Sequence, residues 1–372
     1  MANLKVDTIS GIGTEGPVLN GGLHFRSKNY LTLPKGTTTE RTATSSCIST
    51  EIGSIRYNTD SNKMECYVND KWMIVSTSSP TLNGGTRGLL NAHNANTIEF
   101  ITIETAGNSV DFADDTDDRS TAKSVGSRTR AIFAGGGVSG GGRSNTITFC
   151  TFSTQSNAQD FGDLTQAGGG IGNIGMNNTT RGVFPGRDSP TTNTIDFITI
   201  ATTGNAIDFG DTSLVRTPNT FSSPTRGIMA GNFDPGYSNV IEFITTATTG
   251  NSQDFGDLTI AKQSFGASSN SVRGIFAGGR LNPSTRTDDI ELLIPTTLGN
   301  SILFGDLAIS GASQNAGVAS SPVRAVITGS YTGSESNNME YLAFATGGST
   351  VNFGDLSSAY SRNAVSNGNG GL

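Results

Sequence analysis

The stretch TRGIMAGNFDPGYSNVIEFITTATTGNSQDFGDL, residues 225–258, decides the fold because its pattern recurs along the chain. Each repeat opens with an arginine that is followed by a short apolar run. The six opening arginines are Arg87, Arg130, Arg181, Arg226, Arg273 and Arg324. Their spacing of about 45 residues is typical of propeller blades or of a solenoid.

The rest of each repeat favours blades. A second apolar run carries an acidic residue at its second position, namely Glu99, Asp196, Glu242, Glu291 and Glu340, with Thr148 in the second repeat. Both runs are β-branched, aromatic and too short for helices, so they predict strands. A Gly-Asn step such as Gly250-Asn251 is expected to supply the positive φ of a tight hairpin connection. A Phe-Gly-Asp step and a polar stretch follow, and the polar stretch predicts a fourth strand.

The order of these features over residues 81–372 resembles the Kelch-type β-propeller repeat. The shared features are a hydrophobic strand ending in Gly-Gly, as at Gly135-Gly136 and Gly278-Gly279, an acid in the next strand, a turn and then an aromatic residue. Phenylalanine stands here where Kelch blades usually carry tryptophan. The resemblance implies a propeller built from one blade per repeat.

The last repeat is followed by SSAYSRNAVSNGNGGL, which aligns with the strand that elsewhere precedes the arginine. The first repeat begins near Thr81 and has no room for that strand upstream. We therefore expect residues 363–366 to pair beside residues 87–90, which would remove two exposed strand edges. The expected fold is all-β: a six-bladed Kelch-like β-propeller over residues 79–372, closed by the C-terminal strand and preceded by a small β-rich N-terminal module.

That N-terminal module, residues 1–78, shares none of the repeat. Its segment GSIRYNTDSNKMECYVNDKWMIV predicts strands over residues 54–57, 64–68 and 72–75. Isolated hairpins of this size are marginally stable in water. We therefore expect residues 1–78 to serve in attachment and oligomerisation, as a homo-oligomer with a trimer favoured.

The same segment resembles one that recurs in bacteriophage tail-fibre and virion structural proteins. The opening LKVDTISGIGTEGPV and the later FRSKNYLTLPKG are similar to N-terminal modules of structural proteins from marine cyanobacterial phages. Several of those proteins also carry tandem repeats like the ones described above. The resemblance implies a virion component of a tail or fibre, assembled in the host cytoplasm, whose N-terminal module contacts other virion proteins.

Composition excludes several classes of partner. The formal net charge of -7 offers no basic stripe, so no nucleic acid is expected. Three cysteines form no disulfide framework. The chain lacks an apolar run of about 18 residues, so no membrane insertion is expected, and the residues after Met1 lack the apolar core of a signal peptide.

Four features invite a catalytic or metal interpretation. Asp-Phe-Gly at Asp160, Asp208 and Asp254 resembles the kinase magnesium triplet. The triplet recurs from one repeat to the next, however, and the sequence has no catalytic-loop motif to accompany it. Residues 170–175 match a dinucleotide fingerprint without a βαβ unit. The acidic run over residues 111–118 is either a calcium ligand set or a solvated, degenerate blade turn. His93 is either a general base or a loop residue. We expect no catalytic, cofactor or metal site.

Loops that differ between repeats remain as candidate binding surfaces. They join the same two strands and should cluster on one face. Phe233, Tyr237, Arg280 and Arg286 supply stacking and hydrogen-bonding groups suited to a host surface glycan or protein. The leading hypothesis is a non-enzymatic virion structural protein that displays a propeller for particle architecture or host-surface adhesion. Alternatives are a carbohydrate-active propeller enzyme, depolymerase or sialidase-like, and an intracellular Kelch-like adaptor.

Overall fold

A computed structural model describes residues 33–41, 54–61, 63–68, 71–74, 86–92, 95–138, 141–168, 175–188, 190–231, 236–308, 316–329, 334–357 and 361–372. The chain divides into two compact units, Met1–Pro80 and Thr81–Leu372. The described residues form an all-β protein whose strands are joined by turns and loops. A 3-10 turn at Thr39–Arg41 lies in the first unit.

The N-terminal unit contains one four-stranded sheet. Its strands are β1 (Lys35–Gly36), β2 (Ile55–Asn58), β3 (Lys63–Val68) and β4 (Lys71–Ile74), in that spatial order. β1 pairs with β2 in parallel, and the other pairs are antiparallel. The predicted meander is confirmed, with strand ends shifted by a residue.

The second unit contains β5 to β28. They are β5 (Arg87–Ala92), β6 (Ala95–Thr102), β7 (Val110–Ser120), β8 (Lys123–Gly126), β9 (Arg130–Val138), β10 (Arg143–Thr151), β11 (Gln159–Asp163), β12 (Met176–Asn177), β13 (Arg181–Arg187), β14 (Thr192–Thr199), β15 (Ile207–Asp211), β16 (Asn219–Ser222), β17 (Arg226–Ala230), β18 (Ser238–Thr245), β19 (Gln253–Lys262), β20 (Gly266–Ser269), β21 (Gly274–Ala277), β22 (Asp289–Leu293), β23 (Ile302–Asp306), β24 (Gly317–Ser320), β25 (Arg324–Thr328), β26 (Asn338–Ala343), β27 (Val351–Asp355) and β28 (Ser361–Ser366).

Four of the repeats form separate four-stranded antiparallel sheets. These third to sixth sheets are β12–β15, β16–β19, β20–β23 and β24–β27. The first sheet, β28-β5-β6-β7, and the second sheet, β8–β11, are continuous with each other because the end of the long strand β7 pairs with β9. In five repeats the polar stretch before the arginine forms the predicted fourth strand.

The C-terminal strand β28 lies antiparallel to β5, with Ala364 opposite Leu90 and Val365 opposite Leu89. This predicted pairing is confirmed. The residue after β28 makes the same hydrogen bond as the residue after a fourth strand elsewhere: Asn367 Oδ1 accepts the N–H of the opening arginine Arg87 at 2.9 Å. Asn270 does the same for Arg273 at 2.7 Å. The first sheet therefore takes its fourth strand from the other end of the unit.

The apolar core consists of clusters that lie between consecutive sheets. Between the fourth and fifth sheets, for example, Phe221 packs on Phe276 with ring centroids 5.1 Å apart. A cluster of the same kind joins the sixth sheet to the first and contains Val326 and Phe353 with Leu90 and Ile101. Every sheet thus buries apolar side chains on both of its faces, which explains the continuous apolar runs in the sequence.

Candidate functional site

The arginine that opens each repeat ties its own sheet to the next one. The Arg130 guanidinium lies 4.6 Å from the ring centre of Phe149 and donates to Ile200 O at 2.9 Å. The other arginines donate to carbonyls of the following sheet in the same way: Arg87 to Phe152, Arg181 to Thr246, Arg226 to Pro295, Arg273 to Phe344 and Arg324 to Glu104. A cation over an aromatic face contributes about 0.5–1 kcal/mol at exposed sites and more when desolvated. The opening arginines are therefore structural.

The Phe-Gly-Asp and Gly-Asn steps form a second tie, which we call the outer clamp. The Gly299 N–H donates to Phe255 O at 2.9 Å, and the Ser301 N–H donates to Asp257 O at 3.0 Å. In return, the Asp257 N–H donates to Asn300 Oδ1 at 3.0 Å. The Gly-Asn step therefore lies along the last strand of the preceding sheet. Its predicted role as a hairpin turn is wrong, although glycines 204, 250 and 299 do have positive φ.

At the junction from the fifth sheet to the sixth, Gly348 N and Thr350 N make the backbone bonds without an asparagine. The full clamp occurs again from the second sheet to the third, from the third to the fourth and from the sixth to the first. At the last of these junctions the Gly107 N–H donates to Phe353 O at 2.8 Å, and the Asp355 N–H donates to Asn108 Oδ1 at 3.0 Å. The middle glycine of Phe-Gly-Asp is required because a Cβ on Gly354 would collide with the Gly107 carbonyl. The clamp satisfies backbone groups that a sheet edge would otherwise expose.

The recurring acid in the second apolar run is buried. In the first and sixth sheets it accepts a hydrogen bond from a hydroxyl group, Ser109 Oγ to Glu99 and Thr350 Oγ1 to Glu340, and in the third, fourth and fifth sheets it is paired with a base. Arg187 Nη2 lies 2.9 Å from Asp196 Oδ2, and Lys262 Nζ lies 2.8 Å from Glu291 Oε1. Arg216 forms the corresponding pair with Glu242. Burial acts to raise the pKa of Glu291, but Lys262 and hydrogen bonds from Ser301 and Thr259 hold that pKa below its usual value. Glu291 therefore stays ionised as part of an ion pair between the fourth and fifth sheets.

The second repeat has Thr148 in place of the recurring acid, and a carboxylate from another strand takes the place of the missing one. Asp115, from the acidic run, occupies the same interior site: Thr148 Oγ1 donates to Asp115 Oδ1 at 2.8 Å, and Arg119 Nη2 lies 3.0 Å from the same oxygen. The alternative of a solvated turn is wrong, because residues 110–120 form strand β7. Among the described residues, no three His, Cys, Asp or Glu side chains are grouped as a metal site would require.

The basic partners of these acids were missed at the sequence level. Arg119, Arg216 and Lys262 each follow the aspartate of the Phe-(Gly/Ala)-Asp step by the same offset, and that offset is the signal that identifies them. Before the third sheet, the position equivalent to these bases is Gly168. A Cβ there would collide with the Arg187 side chain. Arg187 comes from another strand and fills that space.

Lys123, on β8, is a further buried base. Its Nζ donates to the carbonyls of Gly186, at 2.8 Å, and Pro185 in the third sheet. Burial and the nearby Arg187 charge lower its pKa to about 7. The ammonium therefore links two sheets through backbone carbonyls.

The strands that precede the arginine strands, namely β8, β12, β16, β20, β24 and β28, are the inner strands. Hydrogen bonds connect each inner strand, or the residue beside it, to the next: Ser124 Oγ to Ala364 O, Gly175 N to Ser124 O, Asn177 N to Ser222 Oγ, Ser269 Oγ to Ser222 O, Ser320 Oγ to Ser269 O and Ser366 Oγ to Ser320 O. Residues from all six line one cavity of about 20 Å³, which has room for about one water molecule.

The C-terminal tail covers one end of this cavity. Asn369 lines it and accepts a hydrogen bond from Asn177 Nδ2 at 3.1 Å. A Cβ on Gly370 would collide with Asn270 O and Ser222 O, and one on Gly371 would collide with Asn177 O. The two glycines therefore permit the tail to lie against the third, fourth and fifth sheets.

The predicted surface-binding residues lie in different settings. Phe233 falls outside the described residues, and Tyr237 is half-buried just before β18. Arg280 donates to Asn282 O at 3.1 Å and to Pro283 O at 2.7 Å, so its guanidinium holds its own loop. Arg286 is half-buried and forms an isolated bridge with Arg280. The described geometry therefore brings Arg280 and Arg286 together and leaves Tyr237 on another loop.

The remaining sequence candidates are placed as follows. His93 and residues 170 and 172 lie outside the described part of the chain. Asp160, Asp208 and Asp254 are exposed on the last strands of their sheets, and Asp208 Oδ1 accepts the Gly210 N–H at 3.2 Å. Burial, with a contribution from Asp115, raises the pKa of the Cys150 thiol to about 12. Cys150 therefore stays protonated and is no nucleophile.

Within the described residues, no helix is long and apolar enough to span a bilayer. No protein-family model matches the chain, and no curated protein is significantly similar to it.

Proposed function

We propose that this protein is a non-enzymatic structural component of a bacteriophage virion, in a tail or fibre, in which a closed six-bladed Kelch-like β-propeller is displayed by an N-terminal attachment module. The observation that carries the proposal is the use of the recurring charged residues. The opening arginines make ties between sheets, and the interior acids are held by buried bases or by hydroxyl groups. Residues engaged in such contacts stabilise the fold and are not available to bind a substrate.

Four independent contacts support closure of the ring. Between the sixth and first sheets there is an apolar cluster, an arginine tie from Arg324, an outer clamp and the hydrogen bond from Ser366 Oγ to Ser320 O. Each has counterparts at junctions between sheets that are neighbours in sequence. A ring closed in this way leaves no exposed sheet edge at the junction.

The resemblance of residues 4–18, 25–36 and 53–75 to phage structural proteins supports the virion assignment. The low charged fraction of the chain, 15%, suits a protein exposed outside a cell. Loops around Tyr237, Arg280 and Arg286 supply the surface that would touch a host glycan or protein. Contacts with other virion proteins are assigned to the N-terminal module.

Two measurements test this proposal. Mass spectrometry of purified particles of the encoding phage should detect the protein at a fixed number of copies per particle, and its absence from particles would refute the virion assignment. Purified protein incubated with host surface polysaccharide should leave the chain length of the glycan unchanged. Depolymerisation that one Asp or Glu substitution abolishes would establish the carbohydrate-active enzyme instead.

A further inference from the structure

The turn between β8 and β9 carries a charged residue at a position that is uncharged in the five equivalent turns. In each turn a Ser or Asn side chain accepts the N–H of the opening arginine. In this one, Ser127 Oγ accepts the Arg130 N–H at 3.0 Å. The residue after Ser127 is Arg128, and its counterparts are Thr179, Pro224, Ser271, Pro322 and Gly368. Arg128 is therefore not one of the residues that the repeat requires.

The Arg128 guanidinium is available to a ligand. The side chain is exposed and makes no hydrogen bond or ion pair with any residue that the structure describes. Its neighbour Arg130 is engaged with the following sheet, where it donates to Ile200 O at 2.9 Å and to Ala201 O at 3.0 Å. Two positive charges thus lie at this turn in a chain whose formal net charge is -7, and one of them has no described partner.

A cavity of about 380 Å³ is lined by Arg128, and this volume is within the range of about 300–1,000 Å³ that is typical of small-molecule sites. Its other lining residues are the rest of the turn over residues 127–130, Thr179 of the next turn, Ile200 and Ala201 after β14, and Leu372. None of these described lining residues is acidic. A cavity whose charges have one sign concentrates ligands of the opposite sign.

The lining suits a ligand that carries an anionic group on a hydroxylated ring. A guanidinium presents two parallel N–H donors, which match the two oxygens of a carboxylate. The hydroxyl groups of Thr129 and Thr179, both exposed, donate to and accept from alcohol groups. Ala201 and Leu372 offer apolar contact to the C–H groups of a ring. An acidic sugar residue, such as a uronic acid, combines these three features.

We propose that the cavity beside Arg128 binds the carboxylate-bearing ring of an acidic sugar, with the Arg128 guanidinium on the carboxylate. The turn that carries Arg128 precedes β9, whereas the loops that carry Tyr237, Arg280 and Arg286 follow the arginine strands β17 and β21. The cavity therefore lies at the opposite end of the arginine strands from those loops and is an additional site. Binding of a free sugar by the purified protein does not depend on membership in a virion, so each proposal can fail without the other.

Saturation-transfer NMR with the full-length protein tests the proposal, with glucuronate as the probe and glucose as its neutral counterpart. Glucuronate should receive saturation and glucose should receive none. Arg128→Ala should weaken the binding of glucuronate at least about tenfold, because it removes a charge-assisted pair. Arg128→Lys keeps the charge without the planar fork and should retain part of the affinity. The matched control is Arg143→Ala, which removes the same charge at the other end of the second sheet, where Arg143 pairs with Asp188 at 2.7 Å, and should bind like the wild type.

The melting temperature of Arg128→Ala should equal that of the wild type, because the side chain bonds to no described residue. Should that variant fail to fold, Arg128→Lys carries the same comparison. Absence of transfer to glucuronate, equal transfer to glucose, or binding that is unchanged in the Arg128 variants would overturn the proposal. Inorganic phosphate that displaces glucuronate at equal concentration would indicate a general oxyanion site and would also overturn it.

Discussion

The outer clamp gives the sharpest test of how the sheets are joined, because it contains two glycines with the same backbone conformation and different surroundings. Gly256, in β19, and Gly299, in the Gly-Asn step that lies on it, both have a φ of +147°. A Cβ on Gly256 would lie 2.5 Å from Gly299 O and 2.6 Å from Gly299 C. A Cβ on Gly299 would have no neighbour within 4 Å. Alanine at either position meets the same backbone strain, but only at Gly256 does it meet a steric clash.

The magnitudes follow from the clamp itself. Backbone strain should reduce the free energy of unfolding by about 1–3 kcal/mol in both variants. Gly256→Ala must also push the two backbones apart, which breaks the hydrogen bonds from Gly299 N, Ser301 N and Asp257 N. Three bonds at about 0.5–1.5 kcal/mol each make Gly256→Ala less stable than Gly299→Ala by about 3 kcal/mol.

Urea denaturation followed by far-ultraviolet circular dichroism measures this difference. Tryptophan fluorescence is unsuitable here, because the single tryptophan, Trp72, lies in the N-terminal unit. Equal losses of stability in the two variants would refute the clamp as a close approach between sheets and would leave only backbone strain.

Three other predictions concern the C-terminal strand and two buried charges. Ending the chain at Ser357 removes β28 and should lower the melting temperature of the second unit or cause aggregation, whereas deleting residues 1–16 should leave that temperature unchanged; similar melting of the two truncated chains would contradict this. Asp115→Asn should cost about 3–5 kcal/mol because it leaves the buried Arg119 charge unpaired, while the exposed Asp118→Asn should cost less than about 0.5 kcal/mol. Because the pKa of Lys123 is lowered to about 7 in the folded state, the unfolded chain binds more protons above that pH and stability should rise with pH from about 7 toward 10. Lys123→Met should lose this part of the dependence, as denaturation at several pH values would show.

The repeat could be recognised in the sequence because its signals are local. Short β-branched runs, their spacing and the alignment of residues 363–366 with the other polar stretches were enough to predict the strands and the partner of β5. The acid in the second apolar run was visible too, but its burial was not, since a lone carboxylate pattern does not identify its counter-ion.

The contacts between sheets could not be predicted, because a residue that recurs in every repeat does not reveal its partner, which lies 43 positions away for Asp257 and Asn300 and 70 positions away for Arg130 and Ile200. Gly250 looked like a hairpin residue, since positive φ serves turns as well as close approaches of two backbones. Asp115 looked like part of a solvated acidic run, and only its position beside Thr148 and Arg119 reveals its interior role.

Closure of the six sheets into a ring is the central claim, and cross-linking across one clamp tests it most directly. In a chain whose three natural cysteines are replaced, Asn108→Cys with Asp355→Cys joins the first sheet to the sixth, where the two residues share a 3.0 Å hydrogen bond. Asn251→Cys with Asp211→Cys places the same pair between sheets that are neighbours in sequence, also at 3.0 Å. A short bifunctional thiol reagent should cross-link both pairs within one molecule to the same extent, as read from the linked peptides by mass spectrometry. Efficient linkage of the second pair without linkage of the first would show an open arc and contradict the closed ring.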